Sequence, residues 1–241
     1  MAANGQRAVV RNGSSLASTA AKQIKALILS NGLHPGDALP SESELCERLN
    51  VSRSSVREAI RTLTTLEIVD VQHGRGTFVG AMTLQPLVET LAFRSVISPG
   101  DDFRALREVV DVRVGMDQAF ANRVVAHFAG RRDDRLHELV DEMARRAAVE
   151  EDFEAADREF HTRLLRETGL EMAAQLVAAF WDVHTAVKPQ LEIPTPEDIN
   201  VTAEAHGDIL RAAEAGDAEA YRAAVTKHYE PILRGLSKAA R

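Results

Sequence analysis

The sequence predicts a mainly α-helical protein of two parts, a small N-terminal domain that includes a β-hairpin and a larger C-terminal helical bundle. Apolar residues recur at spacings of three and four over most of the chain, whereas one segment, "IVDVQHGRGTFVG", has the pattern of two short strands. The charge also changes sign near residue 80. Residues 1–80 hold nine Lys and Arg against seven Asp and Glu, and the remaining 161 residues hold 20 against 29. A polyanion is therefore attracted to the first part and repelled by the second.

The length and composition allow two separate cores. The chain has 241 residues, of which 45% are hydrophobic and 27% charged. Cys46 is the single cysteine, so no internal disulfide can form. No apolar run approaches the roughly 18 residues of a membrane span, and no signal peptide opens the sequence. We expect a cytoplasmic protein that does not associate with a membrane.

The first elements belong to a domain predicted over residues 14–80. Residues 1–13 show no sustained period and are expected to form a flexible arm. A helix is predicted from Ser18 to Ser30, because Ile24, Leu27 and Ile28 lie on one helical face, and "NGLHPGD" supplies the Gly and Pro that end it.

Two capped helices follow in close succession. Ser41 and Glu44 form a capping box at the start of the second helix, which is expected to end near Asn50. Ser52 can cap a third helix that continues to about Leu66. Two helices joined by so short a turn make a helix-turn-helix, and a hairpin follows it at "HGRG".

The third helix begins with "SRSSVR" and therefore presents two arginines one turn apart. Val56 and Ile60 face the core in this prediction, and Arg53 and Arg57 face outward with the serines. Unpaired N–H groups at a helix N-terminus bind phosphate, and arginine bonds either phosphate or guanine. Two arginines alone are more often a solvated surface. The capped helix before them and the hairpin after them favour contact with DNA.

The stretch "LPSESELCERLNVSRSSVREAIRTLTTLEIVDVQHGRGTFV" resembles the winged helix-turn-helix of GntR-family bacterial transcription regulators, over roughly residues 16–79. Many relatives carry arginine where this sequence has Ser43, so the operator preference can differ there. By this resemblance, arginines read the major groove of double-stranded operator DNA, serines hold its backbone and the hairpin tip touches the minor groove. The implied DNA-binding residues are Ser52, Arg53, Ser54, Ser55, Arg57, His73 and Gly74.

The acidic remainder, residues 81–241, is predicted to be helical throughout. Turn sequences such as "SPGDD", "AGRRDD" and "EAGD" divide it into about seven helices. The segments are 84–95, 101–127, 131–148, 150–167, 170–188, 196–215 and 217–237. A seven-helix domain that follows a winged helix-turn-helix resembles the FCD domain of the FadR subgroup. This resemblance implies that the domain binds an effector. We expect this domain to hold a homodimer together, because a palindromic operator needs paired DNA readers.

Four residues of this domain are candidate metal ligands. Asp157 and His161 lie one helical turn apart, while His206 and His228 lie on the last two helices, where a tight turn lets them converge. Each alone is more often an ordinary helical residue. Together they match the Asp-x-x-x-His, His, His pattern of metal-binding FCD domains, which implies one divalent ion per chain. Zinc is the first candidate, with nickel, manganese or iron as alternatives.

Arg113 and Asp117 interrupt an otherwise apolar stripe of the helix over 101–127. Buried charges need partners, and two explanations remain open. The two side chains pair with each other across one turn, or Arg113 projects into a cavity and binds a ligand carboxylate. The family's Glu-x-Arg-x-x-Leu-Glu pattern resembles "DVRVGMD" and favours Arg113 as an effector-binding residue.

The sequence therefore predicts a transcription repressor that responds to a small carboxylate and catalyses no reaction. The alternative is a metal-dependent enzyme with an appended DNA-binding domain. A di-iron bundle would need Glu-x-x-His pairs, which these helices lack, and no obvious general base accompanies the histidines.

Overall fold

The computed structural model describes residues 4–97, 103–189 and 199–239 and confirms the mainly α-helical fold. The chain divides into two compact units, Met1–Pro86 and Leu87–Arg241. Within the described ranges, none of the helices combines the length and apolar character needed to cross a bilayer. The elements are α1 (Asn4–Ser30), α2 (Glu42–Leu49), α3 (Arg53–Thr65), β1 (Val69–Gln72), β2 (Gly76–Val79), α4 (Gln85–Ile97), α5 (Arg104–Phe128), α6 (Asp134–Ala147), α7 (Glu154–Glu167), α8 (Glu171–Val187), α9 (Ile199–Ala215) and α10 (Ala218–Ala239).

The first helix is longer than the sequence pattern predicts. It begins at Asn4 rather than at Ser18, so residues 4–13, which we expected to form a flexible arm, are helical. No proline lies in this stretch, and a glycine inside a helix costs only about 1 kcal/mol relative to alanine. The absence of an apolar period therefore did not mark a helix boundary.

The helix-turn-helix has the predicted caps. The backbone N–H of Glu44 donates to Ser41 Oγ, and the Glu44 carboxylate accepts from the Ser41 N–H at 2.8 Å, which completes the capping box. Asn50 takes the left-handed conformation at φ 51° and ends α2. Ser52 Oγ accepts from the N–H of Ser55 at 3.2 Å and begins α3.

Strands β1 and β2 form an antiparallel hairpin with Val69 opposite Val79 and Gln72 opposite Gly76. Gly74 and Gly76 have φ values of 76° and 120°, which other residues rarely adopt, and they allow the tight turn. The inward valines join a core built with α1, α2 and α3. Its most buried members are Ala20, Ile24, Leu45, Val56, Ala59, Leu63, Val69 and Val79.

The C-terminal unit is a helical bundle in which α5 packs against α8, α9 and α10. Helices α9 and α10 pack on each other, and α6 and α7 lie beside α9 and α8 respectively. Helix α7 begins at Glu154 instead of residue 150, because Glu150 has a φ of 56° and the N–H of Glu154 donates to Asp152. The predicted helix starts at 101 and 196 lie outside the described residues.

Candidate functional site

The exposed face of α3 carries the predicted DNA-contacting side chains. Ser52, Arg53, Ser54 and Arg57 are exposed, and the opposite face is buried in the core through Val56, Ile60 and Leu63. Ser55 differs from the prediction, because its side chain is buried and its Oγ lies 2.9 Å from Ser52 Oγ. Its hydroxyl therefore belongs to the helix cap and not to the exposed face.

The two arginines of α3 differ in their partners. Arg57 Nε donates to Glu42 Oε2 at 3.0 Å, whereas Arg53 forms no ion pair with any residue that the structure describes. The Arg57–Glu42 pair is solvent-exposed, and exposed pairs contribute only about 0–1 kcal/mol. A phosphate can therefore replace Glu42 at little cost.

The hairpin tip presents a third basic side chain that sequence reasoning left unassigned. His73 and Gly74 are exposed at the tip as predicted, and Arg75 is exposed beside them. The Arg75 guanidinium carbon lies 5.8 Å from the Phe78 ring centroid. Its position inside "HGRG" was the signal that could have identified it.

The four predicted metal ligands converge in the C-terminal unit. Asp157 and His161 come from α7, His206 from α9 and His228 from α10, and all four side chains are buried. One potential ligand atom from each lies within 4.8 Å of the others. His206 Nε2 approaches Asp157 Oδ1 to 3.1 Å, and His161 Nε2 lies 3.2 Å from His228 Nε2. We call these four residues the histidine cluster.

Two histidines of the cluster are oriented by groups outside it. His206 Nδ1 donates to the Thr202 carbonyl oxygen at 2.8 Å. His161 Nδ1 lies 3.3 Å from Asp117 Oδ2, which also accepts from the Tyr229 hydroxyl at 2.8 Å. Carbonyl and carboxylate oxygens only accept, so a proton on Nδ1 leaves the Nε2 lone pair facing the cluster. Metal-binding histidines are held in this way.

The charge states of the cluster also suit a cation. Burial alone raises the pKa of Asp157, but His206, His228 and His161 outweigh it and hold that pKa below its usual range. Burial lowers the pKa of His228 well below its ordinary value, with a further contribution from His206. The cluster therefore combines an ionised carboxylate with a neutral imidazole, the forms in which these groups bind metals.

The histidine cluster fits a divalent metal ion. Asp157 Oδ1 and His206 Nε2 are buried and have no hydrogen-bond partner, although they are close to each other. An unsatisfied buried polar atom costs about 1–3 kcal/mol. A cation between the two atoms would satisfy both. Three imidazoles and one carboxylate are suitable ligands for zinc, nickel, iron or manganese.

Arg113 is buried close to this cluster without an acidic partner. Asp117 contacts Tyr229 and His161, so the mutual Arg113–Asp117 ion pair left open by the sequence is absent from the described structure. The guanidinium carbon lies 4.3 Å from the Trp181 ring centroid and 5.3 Å from that of Tyr229. Nε and Nη2 of Arg113 are buried and have no hydrogen-bond partner.

His184, which the sequence did not assign to a site, lies on α8 one turn after Trp181 and is buried. Burial is the main cause that lowers the pKa of His184 to about 3, and the charges of Arg113 and Lys188 contribute to the same shift. The imidazole is thus neutral near pH 7, and its Nδ1 has no partner among the described residues. The i, i+3 spacing of Trp181 and His184 was the sequence signal for a shared face.

Two models of known protein families match this chain, one in each of its two parts. The model of the bacterial regulatory proteins of the gntR family matches residues 16–79, and the model of the FCD domain matches residues 108–231, just over half of the chain. The chain belongs to the GntR family. It is a GntR-family transcription regulator with a C-terminal FCD domain, as the sequence motifs predicted.

Individual relatives agree with this assignment. The chain is 24% identical to the galactonate operon transcriptional repressor of Escherichia coli over 77% of this chain and 81% of that protein. It is 28% identical to the transcriptional regulator LutR of Bacillus subtilis over 62% of this chain and 67% of that protein. The solved structure of a Streptococcus agalactiae GntR protein superposes on this chain with a TM-score of 0.65 and 25% sequence identity. The match includes 90% of this chain and 99% of the Streptococcus agalactiae protein. These relatives are transcription regulators, and nothing supports the alternative of a metal-dependent enzyme.

Proposed function

We propose that this GntR-family regulator is a repressor whose affinity for operator DNA changes when a small carboxylate binds its FCD domain. The observation that carries the proposal is the buried, unpartnered edge of Arg113. Nε and Nη2 lie on the same side of a guanidinium, so their N–H groups form a parallel fork that matches the two oxygens of a carboxylate. A buried positive charge without an acidic partner is unfavourable until such an anion binds.

The histidine cluster would hold one divalent ion through Asp157, His161, His206 and His228. When bound, the ion supplies positive charge and, if it is six-coordinate, two positions for effector oxygens or water. Zinc remains the first candidate among the metals. Asp117 lies beside His161 Nδ1 and accepts a hydrogen bond from the Tyr229 hydroxyl, and the Tyr229 ring faces the Arg113 guanidinium. Asp117 and Tyr229 therefore connect the histidine cluster to the proposed carboxylate site.

The N-terminal unit supplies the DNA contacts in this proposal. Arg53 and Arg57 would contact bases and phosphates from the start of α3, Ser52 and Ser54 would lie against the backbone, and the hairpin tip would reach the minor groove with His73, Gly74 and Arg75. The hydroxyl of Ser55 takes no part, because it is buried in the cap.

A homodimer formed through residues 81–241 would present two such units to a palindromic operator. Phe93 and Ile97 support this interface, because 68% and 64% of their surfaces are exposed on α4 and they lie one turn apart. Replacing both with lysine should convert a dimer into a monomer in multi-angle light scattering. Wild-type protein that is monomeric both free and on DNA would contradict the dimer.

One experiment tests the repressor and carboxylate proposals together. Metal-loaded protein is screened by thermal shift against small carboxylates, and each acid that stabilises it is added to a gel shift on operator DNA. The expected result is release from DNA without any chemical change in the acid. Stabilisation by no acid, together with unchanged DNA binding, would contradict the proposal. The galactonate operon repressor, a relative of this chain, is named for such an acid, which supports the choice of carboxylates.

A further inference from the structure

His184 shares the buried region that contains Arg113. Trp181, one turn earlier on α8, lies 4.3 Å from the Arg113 guanidinium carbon, and residues three apart on a helix lie on the same face. Beyond the effect of burial, the charges of Arg113 and Asp157 both act on the pKa of His184, in opposite directions. The imidazole is therefore within electrostatic reach of the guanidinium and of the histidine cluster.

The Nδ1 atom of His184 is chemically distinct from the Arg113 fork. It is buried and has no hydrogen-bond partner within the described ranges. A neutral imidazole has one N–H donor and one acceptor nitrogen, so Nδ1 can either give or receive a single hydrogen bond. A ligand hydroxyl can satisfy it in both cases, because a hydroxyl also donates and accepts. A methylene at the same place would leave Nδ1 unsatisfied.

We propose that His184 determines effector specificity: its Nδ1 hydrogen-bonds a hydroxyl group of the acid whose carboxylate is bound by Arg113. The inference rests on the proposed function and narrows the effector to aliphatic hydroxy acids. A site built to hydrogen-bond a ligand hydroxyl rejects the analogue without it, because the buried polar atom is then left without a partner. Plain alkyl acids are therefore poor ligands.

Pairs of acids that differ by one oxygen test this inference on the full-length, metal-loaded protein. L-Lactate is compared with propionate and L-malate with succinate, by isothermal titration calorimetry. The expected result is that the hydroxy acid of at least one pair binds tenfold or more tightly than its partner. Equal binding within both pairs would overturn the inference while leaving the carboxylate proposal standing.

Three substitutions distinguish a hydrogen bond at Nδ1 from a general effect of the imidazole. His184→Asn keeps a polar atom close to the position of Nδ1, His184→Gln places one near Nε2 instead, and His184→Leu has none. The preference for the hydroxy acid should persist in His184→Asn. In His184→Gln and His184→Leu the affinity for the hydroxy acid should drop towards that for the acid without the hydroxyl. The ratio of the two affinities should then be no more than about two.

Arg113→Met separates this inference from the proposal on which it rests. It should weaken both acids of a pair by the same factor, because it removes the carboxylate contact and leaves the hydroxyl contact. Melting temperatures of all variants establish that they are folded. A hydroxy-acid preference that survives in folded His184→Leu would overturn the role of His184. If no acid binds wild type more tightly than Arg113→Met, both proposals are wrong.

Discussion

The α3 face and the histidine cluster are both candidate binding sites, but they are built in opposite ways. The α3 face is exposed, and its residues lie within a few positions of one another after a single helix cap. The histidine cluster is buried, and His228 follows Asp157 by 71 residues. Charges on an exposed face are screened by water and interact weakly, whereas unpartnered polar atoms inside a core carry a large cost. Substitutions should therefore affect only DNA affinity in the first case and both binding and stability in the second.

Removing the metal should have the largest effect. Elemental analysis of protein purified without a histidine tag should find about one equivalent of divalent metal per chain, and His206→Ala or His228→Ala should lose it. A ligand present at a thousandfold its Kd stabilises the native state by about 4 kcal/mol. Chelation should thus lower the Tm by on the order of 10 °C for a chain of this size.

His127→Ala is the matched control for these variants. His127 also lies on a helix of the C-terminal unit but is outside the cluster, and its ring contacts Phe128. It should keep the metal and the melting temperature of wild type. If wild-type protein contains no stoichiometric metal and chelation leaves its Tm unchanged, the cluster is a polar core and not a metal site.

Arg113→Met should have the next largest effect and should separate ligand binding from folding. Two guanidinium nitrogens of Arg113 have no partner, so exchanging the buried charge for an apolar side chain should change the Tm little. Affinity for a stabilising carboxylate should fall tenfold or more, as measured by calorimetry. Arg123→Met, on the exposed surface of the same helix, is the control and should bind normally. Failure of Arg113→Met to fold would instead indicate a structural role.

The two regions also differ in how far the sequence alone predicted them. The caps at Ser41 and Ser52 depend on neighbouring residues and were predicted correctly. The start of α1 was predicted wrongly. The stretch before Ser18 contains glycines and lacks an apolar period, a pattern that is also typical of the region before a helix begins. In the C-terminal unit, the sequence spacing of the four cluster residues correctly indicated that their side chains lie close together. The partners of Asp117 could not be predicted, because His161 and Tyr229 reach it from other helices.

On the exposed face, Arg53→Ala and Arg57→Ala should each cost about 1–3 kcal/mol of operator binding if the arginine reads a base. A phosphate-only contact would weaken all DNA sequences alike and reduce the salt slope by about one. Gel shifts at several salt concentrations distinguish the two roles. The Tm should not change, in contrast to the cluster variants.

Arg61→Ala is the control for this pair. Arg61 lies one turn beyond Arg57 on α3, is exposed and pairs with Glu58 at 3.5 Å. It should bind DNA nearly as wild type does. Glu42→Gln should strengthen binding slightly, because Glu42 holds Arg57 in the free protein. Unchanged affinity in both Arg53→Ala and Arg57→Ala would remove the recognition role of α3.

The smallest effect is expected at Asp133, where a charge of the C-terminal unit is partly buried but already paired. Its carboxylate accepts from the N–H of Leu136 at 3.0 Å as the cap of α6 and from Arg163 of α7 at 2.9 Å. Burial raises the pKa of Asp133, but the hydrogen bonds from Arg163 and the α6 backbone outweigh it, so the pKa in the folded state is below its usual value. The ionised group therefore stabilises the fold at pH values above its ordinary pKa, and this contribution is lost as the pH falls through the lowered pKa.

Asp133→Asn keeps a capping oxygen and removes only the charge, so it should lose about 1 kcal/mol at pH 7. For a chain of this size that corresponds to a Tm about 2–4 °C below wild type. The difference between the two proteins should begin to narrow below about pH 4, the ordinary pKa of an aspartate, and should be lost once the pH falls below the lowered pKa of folded Asp133. Other effects of acid on the fold are common to both proteins and cancel in the difference. Asp134→Asn, whose carboxylate pairs with Arg132 at the exposed surface, should show no such difference at any pH. A Tm gap for Asp133→Asn that stays constant down to pH 3 would mean that the ionised charge paired with Arg163 does not account for the lost stability.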